Sequence, residues 1–218
     1  MGGYIMKKIV YFDLDGTLSD SAPGIYNGIK YAQKKFGLRE MTKEELQYCV
    51  GPPMPDSFMK IWGINRRLGQ KVLDAYREYY APKGIFENSL YPGVKESLEE
   101  LKESGIECAI CSAKPEKMVY TVLEYFGIIK YFSVIRGADM TVAYPGKAEV
   151  LKKLIEENPA QSIMAGDRAS DISGAHGAGI KAIGAAWGYG GKDELLKANA
   201  DFIAGSPADL PRIIKENI

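Results

Sequence analysis

The sequence predicts an α/β protein, a doubly wound parallel sheet carrying a small inserted block of helices. Three observations predict it. Short apolar runs recur along the chain and alternate with helical stretches, the rhythm of βαβ units. Those runs are continuously apolar rather than alternating, as strands buried on both faces must be. One long stretch, from Ser21 to about Phe86, carries only helical periodicity.

The elements follow in order. Ile9–Asp13 is the first strand, an apolar run that ends in a carboxylate. Helical pieces come next at Pro23–Phe36, Lys43–Tyr48, Pro55–Ile61 and Arg67–Tyr80, divided by Gly37, the Gly51-Pro52-Pro53 cluster and Gly63. That is too much chain for one crossover, so it reads as a subdomain inserted after the first strand. The expected division is a core of residues 1–18 and 88–218 with a helical insertion of residues 19–87. A helix over Val94–Ser104 opens after Pro92-Gly93 and stops at Gly105. Strands are expected at Glu107–Cys111 and Phe132–Arg136. A helix over Lys147–Glu157 leads to a strand at Ser162–Gly166. A short helix beginning near Asp171 leads to the last expected strand, Lys181–Gly184.

Composition narrows the function classes. The 218 residues suit one domain, or one plus an insertion, at about 150 residues per domain. Lys and Arg number 28 and Asp and Glu 28, so no net charge draws the chain to a nucleic acid polymer or an anionic membrane. No apolar run approaches the ~18 residues that span a bilayer. The single histidine, His176, excludes zinc centres built on several imidazoles; it is expected on a helix surface with no catalytic role. Three cysteines, Cys49, Cys108 and Cys111, fit a reducing, cytoplasmic setting. Cys108 and Cys111 form a C-x-x-C, but on a strand they point to opposite faces. They read as small buried hydrophobes rather than a redox pair.

The chemistry concentrates at strand ends. Asp13-Leu14-Asp15-Gly16-Thr17 follows the first strand directly. Two carboxylates so close repel each other, and burial disfavours both. Such a pair persists where a cation holds it or where one member must carry a proton. Gly16 permits a tight turn that aims backbone N–H groups at a ligand. Asp167 ends another strand, and Asp171 follows one helical turn later on the same face. Ligands of doubly wound sheets sit outside the carboxyl ends of the strands, so the four aspartates should converge. An all-oxygen set suits Mg²⁺. Competing motifs fail: Gly146-Lys147-Ala148 lacks the Ser/Thr and the earlier Gly of a P-loop. The glycines near Gly177 lie between a helix and a strand, the wrong place for a dinucleotide turn.

Four segments together resemble the hallmarks of the haloacid dehalogenase superfamily, in its phosphoglycolate phosphatase-like branch with a helical cap of the C1 type. Asp13-Leu-Asp15-Gly-Thr17 matches the first, Ser112 the second, Lys147 the third and Gly166-Asp167-Arg-Ala-Ser-Asp171 the fourth. The resemblance implies a Rossmann-like core and a Mg²⁺-dependent phosphatase of small phosphate monoesters. In it Asp13 is the nucleophile that forms an aspartyl-phosphate. Asp15 protonates the leaving oxygen and then activates water. Asp13, the Asp15 backbone carbonyl and Asp167 hold the metal, with Asp171 in support. Ser112 and the Ala113 N–H bind phosphoryl oxygens, and Lys147 offsets their charge. Asp15 argues for phosphate over halide chemistry, and Thr17 for hydrolysis over the sugar-phosphate mutases, which usually carry valine there. Ser112-Ala-Lys114-Pro115 resembles the family's T-N-K-P, with Ala113 in place of the amide residue. The inserted helices are expected to close over the aspartates, with hinges near Ser19–Ala22 and Phe86–Tyr91. Substrate choice is expected in the cap, at the Gly51–Met54 loop and at Lys60, Arg66 and Arg67. The implied partner is a small phosphorylated metabolite, phosphoglycolate or its like. A 5'-nucleotide, pyrophosphate or a mutase substrate is the alternative, and the chain is expected to act as a monomer or homodimer.

Overall fold

A computed structural model describes residues 6–51, 54–139 and 146–218 of the chain. Two compact units emerge: one holds the chain up to Leu18 and from Leu90 onward, the other is Ser19–Ser89. Pro52 and Pro53, expected to divide two helices, lie outside the described residues.

The first unit is the sheet unit. Its strands are β1 (Lys8–Phe12), then, after the two-residue pair β2 (Ser19–Asp20) and β3 (Ser89–Leu90), β4 (Glu107–Pro115), β5 (Phe132–Ala138), β6 (Gln161–Gly166), β7 (Lys181–Ala185) and β8 (Phe202–Ala204). Six of them form one sheet in the order β5-β4-β1-β6-β7-β8, while β2 and β3 pair with each other. Every recorded pairing in the six-stranded sheet is parallel. The expected doubly wound sheet is therefore present. β1 lies at its centre, with Val10 opposite Cys108 of β4 on one side and Ile163 of β6 on the other. The chain winds outward from β1 through β4 to β5, then returns across β1 to β6. That reversal is the topological switch point, where the ligand crevice of such sheets opens.

Alternation along β1 sorts the core. Ile9 and Tyr11 point to one face and pack with Ala109, Cys111, Met164 and Ala182. Two helices cover that face: α7 (Lys147–Glu157) through Leu151 and Leu154, and α8 (Ala169–Gly177) through Ile172 and Ala175. Val10, Phe12, Cys108 and Ile110 belong to the opposite parity and are equally enclosed. The thiols of the C-x-x-C are accordingly both free and buried, each a filler of its own layer. Burial pushes both up to about 12. Helices α5 (Val94–Glu103) and α6 (Glu116–Tyr125) pack along β4, and α10 (Leu210–Asn217) packs on α5 and β8. α9 (Gly191–Lys197) lies against β7.

The second unit is helical: α1 (Ala22–Phe36), α2 (Lys43–Tyr48), α3 (Met54–Trp62) and α4 (Arg66–Tyr80). Pro23 sits in the first turn of α1, where a missing N–H costs nothing. Thr42 and Glu45 form a reciprocal capping box on α2, and the Asn65 side chain accepts from Leu68 N to start α4. α1 packs on α4. A Cβ on Gly28 would lie 2.7 Å from the Tyr76 ring, so glycine lets that ring seat against α1. Among the described residues no helix is long and apolar enough to cross a membrane.

Candidate active site

The site is built where β1, β4 and β6 end side by side. After Phe12, the N–H of Asp13 donates to Ala165 O of β6 at 3.0 Å, carrying the pairing one residue further. Asp13 then turns out of the sheet and accepts from Leu14 N through Oδ1 at 2.8 Å. Gly16 follows with φ +87°, and a Cβ there would stand 2.3 Å from Asp167 Oδ2. Only glycine combines that backbone with that approach. Thr17 closes the turn: its hydroxyl donates to Asp167 Oδ1 at 3.1 Å.

β6 delivers Asp167 to the same spot. Its side chain has no exposure and accepts the Tyr189 N–H through Oδ2 at 2.8 Å. Asp171 lies in the first turn of α8 and accepts the Arg168 N–H at 3.0 Å. The sequence reading put Asp167 and Asp171 on one helical face; in fact Asp167 precedes the helix, which starts at Ala169. They meet because Gly166 leaves room, a Cβ there lying 2.3 Å from Asp171 Cγ. Carboxylate oxygens of Asp13, Asp167 and Asp171 all lie within 4.8 Å of one another.

Lys147 begins α7 beneath this trio. Its Nζ is 3.2 Å from Asp13 Oδ2 and also pairs closely with Asp171 Oδ1. With 7% exposure it is no surface lysine. Gly174 on α8 allows the approach, since a Cβ there would lie 2.9 Å from Lys147 Cβ. Three carboxylates thus face one ammonium. Burial, then the charge of Asp171, pushes Asp13 up to about 6 against the pull of Lys147, Ser112 and Leu14 N–H. Burial and the two neighbouring carboxylates hold Asp167 well above the usual range. The excess negative charge and the hard oxygen donors fit a divalent cation such as Mg²⁺.

Ser112 is buried and hydrogen-bonds Asp13. It lies inside β4, which runs on to Pro115 rather than ending at Cys111. It caps no helix: α6 starts after Pro115 with no side-chain cap. Ala113, half-buried, sits beside it. The Asp15 carboxylate stands apart from the trio: it is gripped by Lys114, whose Nζ lies 3.0 and 2.9 Å from its two oxygens. Sequence reasoning gave Lys114 no role. Its signal was a lysine two residues past Ser112 on the same strand face. The turn after β7 was missed as well. There the Trp187 ring N–H donates to Thr17 O at 3.0 Å, and a Cβ on Gly188 would meet Asp167 Cβ at 2.2 Å. A Trp-Gly-Tyr-Gly-Gly run just after a strand was the available clue. His176 stands on the α8 surface, paired with Asp201 at 2.9 Å. Lys60, Arg66 and Arg67 belong to the helical unit; Lys60 donates to the Tyr48 hydroxyl at 3.2 Å and lies over its ring, while both arginines are exposed.

Residues 10–185 match the family model described as haloacid dehalogenase-like hydrolase. The chain belongs to this family. Among relatives of this haloacid dehalogenase-like hydrolase is a 5'-nucleotidase of Pseudomonas aeruginosa, 30% identical over 95% of this chain and 96% of its own. A phosphoglycolate phosphatase of Vibrio parahaemolyticus is 31% identical, with 95% and 96% covered. Among solved structures, a predicted phosphatase from Clostridium acetobutylicum superposes with a TM-score of 0.90 at 34% identity, covering 97% of this chain and 99% of that one.

Proposed function

We propose that this haloacid dehalogenase-like hydrolase, a phosphoric monoester hydrolase, cleaves small phosphate esters with Mg²⁺ through an aspartyl-phosphate on Asp13. One observation carries the reading. Of the three clustered carboxylates, Asp167 and Asp171 are wholly enclosed, whereas Asp13 keeps 7% exposure and touches Lys147. All three can share a cation, and Asp13 alone is open enough to reach a substrate as well.

The chain's own groups then divide the work. A cation held by Asp13, Asp167 and Asp171 would offset the charge that otherwise keeps a phosphate dianion from a carboxylate. Lys147 holds Asp13 from below and adds its own positive charge. The Ser112 hydroxyl and the Ala113 N–H bind phosphoryl oxygens. Asp13 attacks phosphorus, the ester P–O bond breaks, and the leaving oxygen takes a proton from Asp15. Water then attacks the aspartyl-phosphate and gives its proton to Asp15, releasing phosphate and restoring Asp13.

The substrate in this reading is a small phosphorylated metabolite such as phosphoglycolate. A nucleoside 5'-monophosphate is the second reading; the near full-length match to the Pseudomonas aeruginosa 5'-nucleotidase favours it. A panel of phosphate esters ranked by kcat/KM decides between them. Asp13→Asn is expected to abolish phosphate release in a folded protein, and chelation of Mg²⁺ to do so reversibly. Full turnover in either case overturns the mechanism.

A further inference from the structure

Among the described residues, Lys114 is the one buried cation of the sheet unit's crevice that the mechanism above leaves without work. It keeps 8% exposure, and an ammonium is rarely enclosed without cause. Its partner is Asp15, met through both oxygens at 3.0 and 2.9 Å. The geometry repeats across two neighbouring strands. Asp13 and Asp15 are two residues apart beyond β1, and Ser112 and Lys114 are two apart in β4. The first of each pair meet at Asp13 and the second at Asp15. The strand beneath Lys114 is clamped as well. Its N–H donates to Ser112 Oγ at 3.3 Å. β5 presses on its carbonyl so closely that a Cβ on Gly137 would lie 2.7 Å away, and Gly137 N donates to Glu116 at 3.1 Å.

We propose that Lys114 is the positioning residue for Asp15 in the second half of the reaction. This rests on the aspartyl-phosphate reading. In that half the water oxygen bonds to phosphorus, the Asp13–phosphorus bond breaks, and the water proton passes to Asp15. Asp15 must then keep its carboxyl group turned to the water in one orientation, and a two-point grip by an enclosed ammonium fixes that orientation. An unanchored carboxylate at 16% side-chain exposure would spend its time in other rotamers.

The test uses p-nitrophenyl phosphate, whose leaving group departs without a proton, so formation of the phosphoryl-enzyme hardly needs Asp15. Lys114→Met is expected to release about one equivalent of p-nitrophenolate per active site in a burst. Steady turnover after it should be slower by roughly 10–100-fold, with KM falling in step so that kcat/KM is little changed. Asp15→Asn should show the same burst, and Lys114→Arg should regain most of the turnover. Lys114→Gln, close in length and neutral, repeats the measurement if the methionine variant folds poorly. Lys114 variants that turn over at the wild-type rate, that slow without a burst, or that raise KM alone overturn the proposal. A burst in Asp15→Asn but not in either neutral Lys114 variant overturns the Lys114 proposal alone. No burst in Asp15→Asn overturns the aspartyl-phosphate reading, and this proposal with it.

Discussion

At Asp13 the cost of clustering carboxylates becomes measurable. A carboxyl raised from 3.8 to about 6 binds its proton more tightly folded than unfolded. Its contribution to stability is fully present below about pH 4 and lost as pH rises through about 6. The loss is at most about 3 kcal/mol by the usual conversion. Metal-free protein melted between pH 4.5 and 7.5 should show this slope, and Asp13→Asn should reduce it. Mg²⁺ binds the ionised form, so its stabilisation should grow over the same interval. Gly16→Ala tests the turn, since it forces a side chain into φ +87° and onto Asp167. A loss of about 2 kcal/mol or more, with most of the activity, is expected in denaturant titrations and phosphate-release assays. Asp13, Asp167 and Asp171 were nominated in the sequence because strand-end carboxylates declare themselves, and Lys147 because it matches the third hallmark of the family the chain resembles. Lys114 was not, because a lysine at a strand end ordinarily reads as solvated. Its pairing with Asp15, just beyond the end of β1, is what marks it as an interior residue.

Elements were legible in proportion to the length of their apolar pattern. β1, β6 and β7 carry runs such as Ile9-Val10-Tyr11-Phe12 that no surface segment would show. β8 spans only Phe202–Ala204, too short for periodicity, and it exists because β7 offers it an edge. α6 and α10 were passed over for a related reason. α6 is rich in β-branched and aromatic residues, and α10 has eight residues and no side-chain cap. Their helicity comes from packing rather than from local preference. Ile214 on α10 has no exposure, so Ile214→Ala should cost about 2–4 kcal/mol in urea unfolding. It should leave kcat per folded molecule unchanged, because α10 supplies nothing to the aspartates. A proportionate fall in kcat would mean that the helix does more than cover the core.

For the molecule as a whole, the insertion of 19–89 between β1 and β4 separates two cores. Ile25, Ile29, Phe58 and Val72 are buried in the helical unit, while Leu151, Met164 and Ile172 are buried in the sheet unit. A ligand that binds a folded state raises its melting point by mass action. The candidate cation site lies wholly within the sheet unit. Calorimetry with increasing Mg²⁺ should therefore raise the transition that reports the sheet unit and leave the helical unit's transition in place. A single transition that shifts as one would mean that the units melt cooperatively. The break in rhythm between Ser21 and Phe86 revealed the insertion from sequence. The order of strands could not be read that way, since it depends on which edges β6 and β8 find after the chain has turned back.

Asp167 is walled in by main chain. Glycines 16 and 188 press on its carboxylate and Cβ, and Gly190 presses on its carbonyl. What this socket measures is reach. Glutamate carries the same charge and the same donor atoms, yet its added methylene has nowhere to go. Asp167→Glu, a one-letter change that charge arithmetic would call neutral, should therefore be as damaging as Asp167→Asn. At this position the enzyme has been built to a length, and any redesign must begin by moving backbone.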